Sequence, residues 1–294
     1  MKIRRARHPR WLKVPLPAGE NFNEVRKLVK DNNLHTVCQS ANCPNIGECW
    51  GQRTSTFMIL GDICTRNCRY CALVSGKPEP LDLNEPKRVA DAVKTLSLRY
   101  AVITSVTRDD VPDGGASIFG DTIREIRKTV PECQVEVLIP DFLGSREALD
   151  VVLKAKPDVL NHNLETVPLL YSRARPQANY KRSLAILEWA KQAGYITKSG
   201  LMLGLGETNE DVMEVMKDLR KINCDILTLG QYLQPSSAHL PIDRYVAPEQ
   251  FLTFQREGKK MGFQHVESGP LVRSSYHAAV CYDEMTAQHK SHIV

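Results

Sequence analysis

The sequence lacks any apolar run that approaches the ~20 residues of a membrane-spanning helix. Its first residues also lack the apolar segment that a secretory signal needs. These absences predict a protein that has no membrane partner and stays in the cytosol. The chain has 294 residues, 42% hydrophobic and 25% charged, which is enough for one large domain with a sizeable core. Because the cytosol is reducing, its nine cysteines favour metal binding or catalysis over disulfides.

Acidic side chains are absent from the first 19 residues, a segment that we call the basic arm. Its basic residues are Lys2, Arg4, Arg5, Arg7, Arg10 and Lys13. They account for the net charge of +5, and they form either a solvated terminus or a docking surface for an acidic partner, protein or nucleic acid. An organelle transit peptide is disfavoured, since Pro9, Pro15 and Pro17 interrupt any long amphipathic helix.

From residue 55 onward, short apolar runs alternate with helical patterns. The runs occupy residues 55–60, 100–105, 134–139, 158–163, 195–203 and 225–230. In the clearest helical pattern, Val212 and Leu219 mark one face, and Thr208 with Asp211 predicts a capping box. Six such repeats indicate βαβ units on a parallel sheet. We predict an α/β fold, a partial (β/α)6-type TIM-like barrel with N-terminal and C-terminal extensions.

Three cysteines, Cys64, Cys68 and Cys71, follow the first predicted strand in the segment GDICTRNCRYCAL. Catalytic residues of such barrels collect at the carboxyl ends of the strands. A structural zinc ion needs four ligands, usually as two separated pairs, so this C-x3-C-x2-C set would need a distant fourth residue. A [4Fe–4S] cluster can instead take three thiolates and keep one iron open for a reactant.

A second triplet, Cys38, Cys43 and Cys49, precedes that strand with C-x4-C-x5-C spacing. Three thiolates again predict an iron–sulfur cluster in which one iron has no cysteine ligand. The alternative is a zinc ion completed by His35.

The first triplet, with Tyr70 directly before its last cysteine, resembles the signature of the radical S-adenosylmethionine enzymes. In that family the open iron binds S-adenosylmethionine, which is cleaved to methionine and a 5′-deoxyadenosyl radical. The resemblance makes Tyr70 an adenine contact and likens GLMLGLGE, with Gly204 and Glu207, to the family's stretch near the adenine. It also places Asp113 and Gly114, in the segment DGG, near the methionine amine.

Almost the whole chain resembles the lipoyl synthases. The resemblance rests on both triplets in this order, on TSVTRDDVPDGGA, on HNLETV with Asn163 and Glu165, and on the closing RSSYHA. It implies that the first cluster is held by Cys64, Cys68 and Cys71. It also implies that Cys38, Cys43, Cys49 and a serine hold a second, auxiliary cluster. We favour Ser275 as this serine, with Ser274 as the alternative; a hard alkoxide holds iron less durably than a thiolate, which suits a cluster that is consumed.

The resemblance implies a sulfurtransferase that inserts sulfur at carbons six and eight of a protein-bound octanoyl chain. Two molecules of S-adenosylmethionine are consumed per lipoyl group, and the auxiliary [4Fe–4S] cluster is the sacrificed sulfur donor. The expected partners are octanoylated lipoyl carrier domains, namely E2 subunits of 2-oxoacid dehydrogenases and the H protein of glycine cleavage. A low-potential electron donor and a carrier that rebuilds the cluster are also expected, and no nucleic acid.

Other residues carry plainer expectations. Cys133 and Cys224 are expected to be buried core thiols, and Cys281 an exposed thiol in a polar tail. The resemblance implies that the loop with Asp109 and Asp110 orients the cofactor and closes the mouth of the barrel. Arg173 and Arg175 either hold a carboxylate or are solvated, and we favour solvation. We predict that the chain divides into an N-terminal extension with the auxiliary-cluster cysteines (residues 1–54), a barrel (55–267) and a C-terminal tail with the RSSY motif (268–294).

Competing functions fit the sequence less well. The methylthiotransferases of transfer RNA also carry two clusters, but they have an additional N-terminal domain and an RNA-binding tail. Biotin synthase inserts sulfur without an N-terminal cysteine triplet. A zinc-binding nucleic-acid module would use the basic arm and both triplets structurally, but it leaves the six βα repeats unexplained.

Overall fold

The structure is a computed structural model that describes residues 8–291, with side chains up to Ala287. Lys2, Arg4, Arg5 and Arg7 of the basic arm lie outside these residues. The docking role of that arm therefore stays a prediction.

An eight-stranded sheet forms the centre of the fold. Its strands are β1 (His35–Thr36), β2 (Thr56–Ile59), β5 (Tyr100–Ser105), β6 (Gln134–Leu138), β7 (Val159–Asn161), β8 (Ile196–Leu203), β9 (Ile226–Gln231) and β10 (His265–Gly269). They are hydrogen-bonded in that order, and every pair is parallel except β1 with β2. A separate two-stranded sheet joins β3 (Ile63–Cys64) to β4 (Val74–Ser75).

The parallel strands are buried on both faces. Every residue of β2 and of β9 is buried, as expected where helices cover the outside and side chains fill the inside of a barrel. The structure confirms the predicted α/β class and all six predicted strands, and it adds β10 as a seventh parallel strand. Strand β10 spans the predicted division between residues 267 and 268.

Helices flank the strands. They are α1 (Glu20–Asp31), α2 (Val37–Ser40), α3 (Ile46–Gly51), α4 (Glu85–Thr95), α5 (Ala116–Thr129), α6 (Arg146–Lys154), α7 (Tyr171–Ala174), α8 (Tyr180–Gln192), α9 (Asn209–Lys221), α10 (Pro248–Lys260) and α11 (Ala278–Ser291). Short 3-10 helices occupy Arg10–Leu12, Phe142–Gly144 and Pro168–Leu170. The predicted capping box begins α9, because Thr208 and Asp211 each accept from the other's backbone N–H.

The segment before β2 and the segment after β10 contact each other at the open side of the barrel, where no hydrogen-bonded pairing joins β2 to β10 within residues 8–291. The Asn45 amide donates to the carbonyl oxygen of Leu271 at 2.8 Å. The tail then passes so close to β9 that a Cβ atom on Gly230 would lie 2.0 Å from the carbonyl oxygen of Val272. This position therefore tolerates only glycine, and the tail is held against the mouth of the barrel.

Each helix within residues 8–291 is too short or too polar to cross a lipid bilayer.

Candidate active site

The first cysteine triplet lies on the loop that follows β2. Cys64 ends β3, and the Cys71 N–H donates to the Cys68 carbonyl at 3.0 Å, which turns the loop back on itself. The Cys64 and Cys68 thiols lie near enough to Cys71 to affect its protonation. Burial, reinforced by the neighbouring thiols, raises the pKa of Cys71 to about 12. Burial likewise raises the pKa of Cys68. Such thiols stay protonated near neutral pH until a metal replaces the protons.

Two backbone N–H groups are directed at Cys64. Thr107 donates to its sulfur at 3.3 Å and Arg66 at 3.4 Å. Hydrogen bonds of this kind favour a negatively charged, metal-bound thiolate.

Arg66, between the first two cysteines of this triplet, anchors the loop. Its guanidinium lies 2.6 Å from Asp141, whose side chain is fully buried, and 2.6 Å from Asp109. Burial by itself would raise the pKa of Asp141, but the hydrogen bond and charge of Arg66 outweigh it and lower that pKa to about 2. The ion pair of Arg66 with Asp141 was not predicted, since 75 residues separate the two in the sequence.

In the second triplet, Cys38 lies in α2, Cys49 lies in α3, and Cys43 lies between these two short helices. The tail lies beside this triplet. Burial raises the pKa of Cys49 to about 12, with the Cys38 and Cys43 thiols acting in the same direction. Thr56 of β2 donates to the hydroxyl of Ser275 at 2.8 Å. The backbone of the same Thr56 is a hydrogen-bond partner of Cys38. The tail serine that we favoured is thus beside this triplet.

Ser274 has a different environment. Its hydroxyl accepts from the Asn163 amide at 2.5 Å, and that amide also donates to Glu165 at 3.1 Å. The side-chain oxygen of Asn163 is buried and has no hydrogen-bond partner. Ser274 therefore contacts the HNLETV loop, whereas Ser275 contacts Thr56 of β2.

One cavity of about 460 Å³ is bordered by Cys71 of the first triplet and by all three cysteines of the second, Cys38, Cys43 and Cys49. Its lining also includes the predicted site residues Tyr70, Asn163, Glu165, Ser274 and Ser275. Its volume is typical of a cavity for a small organic ligand. The predicted site residues from three distant parts of the chain are thus brought together.

Four of the predicted cofactor contacts do not line this cavity. The carboxylate of Glu207 accepts from the backbone N–H groups of Gly204 and Leu205, at 2.7 and 2.9 Å, and so closes its own turn. Asp113 accepts from the N–H groups of Gly115 and Ser117 at the start of α5. Gly114 lines a smaller cleft next to Asp109. Their predicted contact with a cofactor stays a prediction.

Two charged residues were misjudged or overlooked. The prediction that Arg175 is solvated was wrong, because it is 8% exposed and donates to the carbonyls of Asn163 and Leu164. Arg173 is exposed, as predicted. Arg273 lines the cavity near Cys43 and Glu165, and burial lowers its pKa. Arg273 directly precedes Ser274 and Ser275 in the sequence, and this position could have indicated that it belongs to the site.

The acidic pair Asp109 and Asp110 binds arginines. Asp109 holds Arg66, and Asp110 lies 2.8 Å from Arg108. The cysteines outside the triplets are all buried, so the predictions for Cys133 and Cys224 are confirmed and the prediction of an exposed Cys281 was wrong.

The thiols of each triplet are spread further apart than the ligands of one bound zinc ion. Tetrahedral zinc with bonds of about 2.3 Å brings its sulfur ligands to about 3.8 Å from one another. Within the described chain, one group of three or more metal-binding side chains has all its ligand atoms within 4.8 Å, and it contains neither triplet. Sets of three thiolates suit iron–sulfur clusters. Near Cys38, the buried Trp50 Nε1 and Ser55 Oγ have no partner, and both can donate to sulfur.

The sequence profile of the radical SAM superfamily matches residues 58–219, and that of the N-terminal domain of lipoyl synthase matches residues 1–43. The lipoyl synthase of Roseiflexus sp. (strain RS-1) is 59% identical over 276 residues, covering 93% of this chain and 92% of the relative. The chain belongs to the lipoyl synthase family. The lipoyl synthase of Chromobacterium violaceum is 52% identical, covering 92% of this chain and 87% of that relative.

Solved structures agree on the fold. The maturase HydG has a TM-score of 0.55 at 14% identity and covers 90% of this chain and 75% of its own. Membership of the lipoyl synthase family confirms the predicted sulfurtransferase class. It also confirms the cofactors, S-adenosylmethionine and [4Fe–4S] clusters.

Proposed function

We propose that this chain inserts two sulfur atoms, at carbons six and eight, into an octanoyl chain carried by a lipoyl carrier domain. The observation that supports this proposal is one cavity that Cys71 of the first triplet borders together with Cys38, Cys43 and Cys49 of the second. An alkyl chain in that cavity would have cysteines of both triplets as neighbours. Sulfur insertion at an unactivated carbon requires this arrangement, since hydrogen removal and sulfur delivery must reach the same carbon atom.

Cys64, Cys68 and Cys71 would hold the cluster that binds S-adenosylmethionine. When bound, this pair supplies the 5′-deoxyadenosyl radical that a saturated carbon requires. The chain fixes the position of the loop through Arg66 and directs two N–H groups at Cys64. Tyr70 and Glu165 would then contact the nucleoside side of the cavity, where burial raises the pKa of the Glu165 carboxyl.

Cys38, Cys43, Cys49 and Ser275 would hold the auxiliary cluster that donates sulfur. Thr56 positions the Ser275 hydroxyl from strand β2, so the fourth ligand depends on contact between the tail and the barrel. An oxygen ligand on iron is more easily displaced than a thiolate, which suits a cluster that gives up its sulfide.

The walls of the cavity suit an alkyl chain. Apolar side chains from three strands and the tail line it, among them Val102, Leu138, Leu201 and Val272. They exclude water from the space that an octanoyl chain would occupy.

The substrates would be the octanoylated E2 subunits and the glycine-cleavage H protein that the family resemblance implies, with a low-potential electron donor and a carrier that rebuilds the auxiliary cluster. The test is an oxygen-free reaction of the cluster-loaded enzyme with an octanoylated carrier peptide, a reductant and S-adenosylmethionine. Mass spectrometry should show two added sulfur atoms on the peptide and two deoxyadenosines per lipoyl group. Deoxyadenosine without any sulfur added to the peptide would contradict the proposal.

A further inference from the structure

A cluster of metal-binding side chains lies outside the cavity, where α11 packs on β10. His265 and Glu267 belong to β10, and Cys281 belongs to α11. Their ligand atoms all lie within 4.8 Å of one another, the group distinguished above from the two triplets. The proposed function gives these three residues no role.

The spacing of these atoms matches the coordination sphere of one zinc ion. His265 Nε2 lies 3.3 Å from Glu267 Oε2. Tetrahedral zinc with bonds of about 2.0–2.1 Å to nitrogen and oxygen separates those ligands by about 3.4 Å. Without metal the same contact is a hydrogen bond. Its length therefore allows the two atoms to become ligands of one ion with little movement.

The other nitrogen of the same imidazole also faces a carboxylate. Glu284, one turn beyond Cys281 on α11, lies 3.3 Å from His265 Nδ1. Metal-bound histidines usually present their second ring nitrogen to a carboxylate, which fixes the ring's tautomer and orientation. Glu284 occupies that position.

Burial around the cluster is graded in a way that suits a bound ion. The Cys281 residue is 1% exposed, whereas the side chains of His265 and Glu267 are 12% and 25% exposed. A solvent-facing carboxylate gives an ion a path to the buried sulfur. Imidazole, thiolate and carboxylate together are ligands that zinc accepts.

Two further side chains near Glu267 are those of His277 and Lys198. Lys198 is fully buried and paired with Glu136 at 3.0 Å, and His277 lies 3.2 Å from Glu48. Each of them has its own carboxylate partner, so Glu267 remains available. Without metal, hydrogen bonds to Cys281 and Glu267 raise the pKa of His265 to about 9, and zinc must displace that proton.

We propose that His265, Glu267 and Cys281 bind one Zn²⁺ ion, with Glu284 orienting the imidazole and water as the fourth ligand. The ion joins β10 to α11, the two elements that flank the loop carrying Ser274 and Ser275. Its role is to fix both ends of that loop.

The experiment measures zinc, iron and acid-labile sulfide in the cluster-loaded enzyme, purified without oxygen and dialysed against a weak chelator. We expect about one zinc per chain beside about eight irons and eight sulfides. X-ray absorption at the zinc edge should show one sulfur at about 2.3 Å and three lighter ligands at about 2.0–2.1 Å. Iron does not interfere at that edge.

Glu267→Gln removes a ligand with little change of shape, and Cys281→Ala removes the sulfur. Both should weaken zinc binding by about tenfold or more with iron and sulfide unchanged. Cys133→Ala, at a buried thiol outside the cluster, is the matched control and should keep its zinc. The proposal is overturned if the iron-replete enzyme contains no zinc. It is equally overturned if the zinc has three sulfur neighbours, which would place it in a cysteine triplet.

Discussion

Thr56 donates a hydrogen bond of 2.8 Å to Ser275, and this bond joins the first barrel strand to a residue 219 positions later in the chain. It orients one of two adjacent serines towards the second cysteine triplet, while Asn163 holds the other. Neighbouring residues with the same side chain thereby have different surroundings. This difference makes the proposed role of Ser275 testable.

Ser275→Ala should reduce sulfur insertion by about tenfold or more, because the auxiliary cluster loses a ligand, while deoxyadenosine is still formed. The measurement is mass spectrometry of the carrier peptide alongside chromatography of deoxyadenosine. Ser274→Ala, which loses only the contact with Asn163, should keep most of the sulfur insertion. A reversed order of the two variants would assign the ligand to Ser274.

The two triplets should be separable by substitution. Cys43→Ala should leave cleavage of S-adenosylmethionine in place and abolish the lipoyl product, since only the donor cluster is affected. Cys68→Ala should abolish both. Lipoyl product from the Cys43 variant, or deoxyadenosine from the Cys68 variant, would show that the triplets have been assigned wrongly.

Asp141→Asn should destabilise the fold by about 3–5 kcal/mol, because it leaves the buried Arg66 guanidinium without one of its two partners. It should also loosen the cysteine loop and lower the iron content. The free energy of unfolding in urea and an iron assay test both effects. The matched control is Asp121→Asn, whose pair with Arg124 is about half exposed and should contribute less than about 1 kcal/mol. Equal losses in the two variants would contradict the anchoring role.

Acid should weaken the fold through His162. Burial lowers the pKa of this histidine to about 4, and its ring nitrogens contact the Ile139 carbonyl and the Ser183 hydroxyl. Since the unfolded chain binds this proton near pH 6.5, stability falls as pH decreases from 6.5 towards 4. Between pH 7 and 5.5 the expected loss is about 1 kcal/mol.

The measurement is the free energy of unfolding at the two pH values for the parent chain and for His162→Gln. The variant lacks the titrating group, so its stability should decline less over this interval. Acid effects on the clusters are common to both proteins and cancel in the difference. Identical slopes would show that His162 does not titrate as its burial implies.

Much of the fold could be predicted from the sequence because its signals are local. The run at residues 100–105 coincides with β5, and the capping box of Thr208 and Asp211 begins α9 as expected. The cysteine spacings identified both triplets for the same reason. The resemblance of RSSYHA to a family motif identified the two tail serines. Their different hydrogen-bond partners, however, depend on contacts that only the folded chain shows.

Long-range contacts explain what was missed. Arg175 was predicted to be solvated, yet its guanidinium donates hydrogen bonds to carbonyl groups 11 and 12 residues earlier in the chain, inside the barrel. Cys281 lies in a polar segment and is buried because α11 places it against β10. Strand β10 itself, with His265, Glu267 and Ser268, has little apolar character and is recognisable only by its pairing with β9.

The contact of Asn45 with Leu271 has a consequence for folding. Cys38, Cys43 and Cys49 precede the barrel strands in the chain, whereas Ser275 follows them. These residues can therefore meet only after the strands between them have paired. A chain truncated before Leu271 would keep all three thiols of the first triplet but would lack the contact that brings the tail to the second.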